Sequence, residues 1–270
     1  MKKLLKKESS LSGKQLKVRI PELEGVAIRT IQYHCNKTLE LPTRRMVKKP
    51  LLNCRMMDQR LDFARQYQHW TVDDWKKVMF SDESHFELRF GQQSTFCRRS
   101  SGSDRYDPLF TKKTVKHPPK VMVWGSFSYE RSGGIEFLRK GEMTGERYLR
   151  LLEEKLEEKM EEHGCDHFLQ DSAPCHKAKV VTKWFLERPH ITLIKWPGNS
   201  PDLNPIENCW IWMKKQLREE NNTSIPMLEE SIARLWEEKM GDCQYLEALV
   251  KSMPRRMADV IERDGNMTKY

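Results

Sequence analysis

The sequence predicts an α/β protein, a mixed β-sheet flanked by helices and preceded by a short basic arm with a partial helix-turn-helix. Three observations predict it: apolar runs with hairpin spacing, a β-α-β-α alternation after them, and a positive charge excess confined to one end. The 270 residues carry 48 Lys+Arg against 39 Asp+Glu, and residues 1–60 alone hold 15 Lys+Arg against 5 Asp+Glu, so the rest of the chain is near neutral. A single-sign segment on a near-neutral body is the pattern of an arm for a polyanion, nucleic acid above all, with a solubilising tail as the plain alternative. The 38% hydrophobic content and eight Trp supply a core, which excludes wholesale disorder. No apolar run approaches the ~18–20 residues of a spanning helix. The basic start Met1–Lys7 lacks the apolar stretch of a secretory signal. Seven scattered cysteines without a C-x-x-C pair predict reduced thiols in an intracellular protein.

In the arm, residues 1–36, the segment Val26–Asn36 puts Ile28, Ile31 and Cys35 on one helical stripe and Arg29, Gln32, Tyr33 and Asn36 on the opposite face. A turn at Pro21–Gly25 separates it from Lys14–Ile20, giving the layout of a helix-turn-helix reader. Residues 37–56, with Arg44, Arg45, Lys48 and Lys49, read as an extended basic linker that adds salt-sensitive DNA contacts. Residues 57–270 read as the globular domain. A helix is predicted over 57–69, and a second short one, opened by a capping box at Thr71–Asp74, carries Trp75. Strands follow at 78–88, 121–127 and 135–139, with Gly133-Gly134 read as a hairpin turn. An amphipathic helix spans 145–163, opened by Thr144 and ended by Gly164. After it come a strand at 168–171, a helix at 175–188, a strand at 191–196 and a helix at 205–219, then helices near 226–240 and 244–263.

Three carboxylates stand where such an architecture places function. Asp82 lies inside an apolar strand, where an acid is costly unless paired, solvated at a cleft or bound to a cation. Asp171 ends the strand at 168–171, at the carboxyl edge where α/β sheets bind ligands. Glu207 lies in the first turn of a helix opened by Asn204-Pro205. Each has a structural alternative: Asp171 as a helix cap, and Glu207 as the partner of Asn204 in a capping box. If the strands are neighbours and the helix packs beside them, the three converge as hard oxygen ligands suited to Mg²⁺ or Mn²⁺. Two such ions ~3.5–4 Å apart serve phosphodiester chemistry. His163, Cys165, His167, Cys175 and His176 match no standard zinc spacing and read as ordinary packing.

The segments WTVDDWKKVMFSDES (70–84), VMVWG (121–125), QDSAPCH (170–176) and WPGNSPDLNPIEN (196–208) closely resemble the Tc/mariner superfamily of cut-and-paste DNA transposases. SPDLNPIE (200–207) is the most specific of them. The resemblance implies a ribonuclease-H-like catalytic domain with an Asp-Asp-Glu or Asp-Asp-Asp triad that binds two divalent metal ions. By motif position the triad maps to Asp82, Asp171 and Glu207, the last two separated by 35 residues. It implies cleavage of double-stranded DNA at terminal inverted repeats, strand transfer into TA targets, a homodimer on DNA, and Arg29, Gln32 and Tyr33 on a recognition helix. Asp202 and Asn204 are expected to shape the loop before Glu207. The family usually carries two helix-turn-helix units, of which only the end of the second is visible here. The expectation is therefore an N-terminally truncated chain, with a non-catalytic or host-adopted DNA-binding protein as the alternative. Ser172 replaces the Asn that commonly follows the second Asp. The Lys/Arg clusters predict a nuclear location, and no membrane association is expected.

Overall fold

The computed structural model describes residues 1–46, 49–88, 96–111, 115–138 and 143–270. It divides into two compact units, Met1–Lys49 and Pro50–Tyr270.

In the first unit, Lys2–Lys7 forms a helix the sequence did not announce, α1, and is followed by α2 (Gly13–Arg19) and α3 (Ile28–Tyr33). A π-helical turn, His34–Thr38, prolongs α3. Ser12 and Gln15 open α2 as a capping box, each side chain bonding the other's backbone N–H. Leu16 and Ile31 form the buried centre. Ile28, expected on the same stripe, is 41% exposed. It rests on Gly13, which has no side chain to cover it.

The second unit begins with α4 (Cys54–Tyr67), inside the stretch read as linker, because Asn53 accepts the Met56 N–H and caps it early. Next come α5 (Val72–Trp75), β1 (Val78–Glu87), β2 (Lys120–Phe127) and β3 (Ser132–Leu138). Helix α6 (Gly145–Leu151) continues through a π-helical turn (Leu152–Leu156) into α7 (Glu157–His163), which ends at Gly164 with φ +66°. The chain then alternates β4 (His167–Leu169), α8 (Lys179–Leu186), β5 (Thr192–Ile194) and α9 (Ile206–Gln216). It closes with α10 (Ile225–Met240), α11 (Cys243–Lys251) and α12 (Met253–Glu262). Among the described residues no helix is long and apolar enough to cross a membrane.

The strands form one mixed sheet in the order β3-β2-β1-β4-β5. β1, β2 and β3 pair antiparallel, while β4 and β5 run parallel to β1. Alternation along β1 sends Val78 and Phe80 to one face and Met79 to the other. The first face packs with Trp75, Trp210, Ile232 and Met257 against α4, α5 and α9–α12, and the second with Tyr148, Leu152 and Trp184 against α6–α8. The sheet is thus covered on both sides.

Two local expectations are corrected. The β2–β3 turn is Ser128–Arg131, closed by Ser128 N–H to Arg131 O at 2.9 Å, and Gly133-Gly134 lie inside β3. They sit beside a register shift at Ser126/Phe127, where a side chain on Gly133 would strike Ser126. The helix expected over 244–263 is two, because Pro254, at the second position of α12, lacks the N–H to continue the ladder.

Candidate active site

β4 reaches only as far as Phe80 of β1, which pairs with Leu169. Asp82 and Asp171 each stand two residues beyond that last pair, Asp82 within β1, where only β2 still pairs with it, and Asp171 past the carboxyl end of the parallel neighbour β4. Glu207 is the second residue of α9, which packs on β1. All three carboxylates line one cleft of about 390 Å³, walled also by Ser172, Trp196 and the loop Gly198–Pro201.

Asp82 is half-buried, and its Oδ2 accepts the indole N–H of Trp210 at 3.2 Å. Gly125 stands opposite Asp82 on β2, and a Cβ there would lie 2.7 Å from the Trp210 and Trp236 rings. The bare glycine lets the indole reach across the sheet. Burial, followed by the negative charges of Glu207 and Glu83, pushes the Asp82 carboxyl well above its usual range, with Asp171 adding to it. Burial also raises Glu207, against a lowering by Lys214. No hydrogen bond among the described residues occupies the Glu207 side chain, so it is not the capping-box partner of Asn204.

Asp171 does not cap α8 either. Its Oδ1 accepts the Ala173 N–H at 2.8 Å and faces His176 Nδ1 at 2.8 Å. Burial alone would raise it, but the His176 and Ala173 hydrogen bonds hold it below the usual carboxylate range. His176 Nε2 faces Glu83 Oε1 at 3.2 Å. Burial works against the charged ring, yet the Asp171 and Glu83 hydrogen bonds raise its pKa to about 10. The imidazolium therefore donates to both carboxylates. Glu83, Asp171 and His176 bring ligand atoms within 4.8 Å of one another, but both ring nitrogens are already engaged. The Tyr148 ring lies 4.1 Å from the imidazole, and its hydroxyl donates to Gln170 Oε1 at 2.6 Å.

Asp202 and Asn204 shape the loop. Asp202 is buried in a two-pronged pair with Arg60, both bonds 2.8 Å, and also accepts the Thr268 N–H and hydroxyl. Asn204 Nδ2 donates to Ser81 O at 3.1 Å, tying the loop to β1 beside Asp82. Arg256 donates to Asp202 O and Asn208 Oδ1 at 2.7 Å each, fixing both ends of the turn that presents Glu207. Ser172 Oγ donates to Trp196 O at 3.3 Å, joining the Asp171 loop to the strand-end loop across the cleft.

Sequence reasoning missed Glu83, Trp210, Arg60 and Arg256 as site-building residues; only the Trp210 spacing, one helical turn after Glu207, carried a signal. The cysteine and histidine set does not assemble: His163 bonds Ser128, and His167 bonds Asp166. In the separate Met1–Lys49 unit, Arg29, Gln32 and Tyr33 are exposed on α3, and Arg44, Arg45 and Lys49 are exposed on the segment after it. Lys48 lies outside the described residues.

The donor set of the cleft is oxygen-only, and no Lys or Arg ion pair among the described residues neutralises Asp82 or Glu207. An acid driven up by burial and by its neighbouring carboxylates fits hard divalent cations.

Residues 77–229 match the family described as DDE superfamily endonuclease. The chain is 32% identical over 263 residues to the Tcb2 transposase of Caenorhabditis briggsae, covering 95% of this chain and 93% of that one. It is 33% identical over 230 residues to the Tc1 transposase of Caenorhabditis elegans, covering 84% and 82%. Among solved structures it is similar to a Mos1 transposase paired-end complex with the left transposon end, at TM-score 0.75 and 21% identity over 97% of this chain and 77% of that one. The Mos1 catalytic domain alone matches at TM-score 0.60 and 19% identity over 83% and 100%. With the ribonuclease-H-like sheet, the carboxylate cleft and relatives of this similarity along most of its length, the chain belongs to the Tc1/mariner family of DDE transposases, cut-and-paste polynucleotidyl transferases.

Proposed function

We propose that Asp82, Asp171 and Glu207 are the catalytic carboxylates, that together they hold two divalent cations, Mg²⁺ or Mn²⁺, and that the protein acts on double-stranded DNA. It cuts at terminal inverted repeats and transfers the freed 3′ ends to TA targets, as a homodimer holding two ends, in the nucleus. The observation that carries this reading is Asp82, a half-buried acid among three other carboxylates whose Oδ2 accepts the Trp210 indole N–H. When bound, the cations supply Lewis acidity to the scissile phosphate and lower the pKa of an attacking water.

The chain's own residues prepare that site. Trp210 orients Asp82, and His176 with the Ala173 N–H orients Asp171 through one carboxylate oxygen, Oδ1. The Asn204–Ser81 bond sets Glu207 against β1. Arg29, Gln32 and Tyr33 read bases, while Arg44, Arg45, Lys48 and Lys49 bind phosphates. Solved Mos1 complexes with Mg and with Mn, and a Mos1 strand transfer complex, support the reading by fold.

The test is incubation of the full chain with Mg²⁺ or Mn²⁺ and the inverted-repeat DNA flanking its reading frame. Nicking by the parent and none by Asp82→Ala, Asp171→Ala or Glu207→Ala is expected. Equal nicking by parent and variants, or DNA binding without any nicking, overturns it.

A further inference from the structure

From the cleft, β1 and α9 run side by side. Trp210 meets Asp82 at 3.2 Å, its ring meets Phe86 at 6.0 Å, and the Lys214 ammonium lies 5.5 Å from the Phe86 ring. A second hollow of about 260 Å³ opens along the same pair of elements, lined by His85, Phe86, Glu87, Lys214 and Arg218 among others. Lys214 stands two helical turns beyond Glu207, and Arg218 one turn further, in the turn that closes α9. Between them and the cleft, Ile211 is 64% exposed, unusual for a large aliphatic side chain.

The charge of this flank is unbalanced. Among the described residues neither Lys214 nor Arg218 has an ion-pair partner, whereas Arg188, Arg234 and Lys251 each hold a glutamate. Of the two acids beside them, Glu220 is bound to Arg234, and Glu87 faces Lys120 across β1–β2. The positive charges of Lys120 and Lys214 are felt at His85, where they add to burial in lowering its pKa. Along α9 the carboxylate cleft is thus followed by a hollow that carries two cations without ion-pair partners among the described residues.

The spacing suits one polyanion. At 1.5 Å per residue, Lys214 lies ~10 Å from Glu207 along the helix axis and Arg218 ~16 Å. Phosphates of one DNA strand are ~3.4 Å apart along the duplex axis. We propose that the β1–α9 flank is the track for the DNA strand beside the cut. Lys214 and Arg218 each contact a phosphate, about three and five nucleotides from the scissile one, and Ile211 packs on the sugar edge between. The track rests on the assignment of the cleft as the cutting site.

Both side chains are exposed, so their substitution leaves the fold intact. The full-length parent is compared with Lys214→Gln/Arg218→Gln, with the charge-retaining Lys214→Arg, and with Lys183→Gln on α8, whose side chain is 77% exposed. Binding of a linear DNA duplex is titrated with KCl in EDTA. The slope of log K against log salt is expected to become shallower by about 1.8 in the double variant, ~0.9 per lost phosphate contact. Lys214→Arg and Lys183→Gln are expected to keep the parent slope. In Mg²⁺, the double variant is expected to raise KM on the full duplex, and to match the KM of the parent on a duplex trimmed to two nucleotides beyond the cut. An unchanged slope, or a KM deficit that persists on the trimmed duplex, overturns the track. A parent that binds but never cuts overturns the catalytic reading instead, and the slope comparison still decides the track.

Discussion

Trp210 donates its indole N–H to Asp82 Oδ2 at 3.2 Å from a fully buried position on α9, one turn after Glu207. One side chain thus links the helix that presents the third carboxylate to the strand that presents the first. Trp210→Phe keeps most of the buried ring and deletes the donor. Cleavage is expected to fall about 10–100-fold, with a higher metal concentration needed for half-maximal rate, as for other groups that orient a metal ligand. A metal titration of single-turnover cleavage checks it. A variant with unchanged metal demand shows that the indole only packs.

Asp82 is burdened by burial and by the carboxylates of Glu207, Glu83 and Asp171. Asp82→Asn removes that repulsion, so in EDTA the variant is expected to be more stable than the parent by about 1 kcal/mol. That corresponds to ~2–4 °C in Tm for a unit of this size. Mn²⁺ is expected to raise the Tm of the parent and leave the variant unmoved, because only the parent binds the ion in its folded state. Calorimetry with and without Mn²⁺ reads both. A variant less stable than the parent in EDTA contradicts the repulsion.

Asp202 and Arg60 are fully buried and paired at 2.8 Å. Asp202→Asn leaves the Arg60 charge without its partner, at an expected cost of about 3–5 kcal/mol. Burial raises the Asp202 pKa, but the Arg60 and Thr268 hydrogen bonds and the Arg60 charge outweigh it and hold the group below the usual value. A carboxylate depressed in the fold contributes stability that is full above its unfolded pKa of ~3.9 and is lost as pH falls through its lower folded value. The urea-unfolding difference between parent and variant should therefore be level above about pH 5 and shrink below about pH 4. A difference that stays constant into acid denies Asp202 its ionised role.

How far the chain could be read in advance follows from the range of each signal. The apolar run Val78, Met79 and Phe80 is local, and it correctly marked a buried strand. Asp82, Asp171 and Glu207 were legible as positions because an acid inside an apolar strand, a strand end and a helix start are local features too, and all three line the cleft. Gly133-Gly134 was misread because a glycine pair serves a bulge as well as a turn. The early start of α4 turned on a single Asn53 cap. What stayed hidden is long-range: Glu83 meets His176 across 93 residues, and Arg60 meets Asp202 across 142. Such pairs carry no spacing rule; only the register of β1 with β4 and the path of α4 bring them together.

Gly125 offers the sharpest test of how the site is packed. A Cβ at this position would lie 2.7 Å from both the Trp210 and the Trp236 ring, closer than real contacts allow. Gly125→Ala is therefore expected to cost about 1–3 kcal/mol by overpacking. It should also lower cleavage, because the displaced indole no longer reaches Asp82. If the glycine exists to seat Trp210, the smaller ring of Trp210→Phe relieves part of the clash. The double variant Gly125→Ala/Trp210→Phe is then expected to lose less stability than the two single losses together, with a coupling of about 0.5–3 kcal/mol. Its cleavage should be no worse than that of Trp210→Phe alone, since the contact is already gone. Denaturant unfolding of the four proteins measures the cycle. Additivity within about 0.5 kcal/mol would mean that Gly125 answers to Trp236 rather than to the ring that holds Asp82.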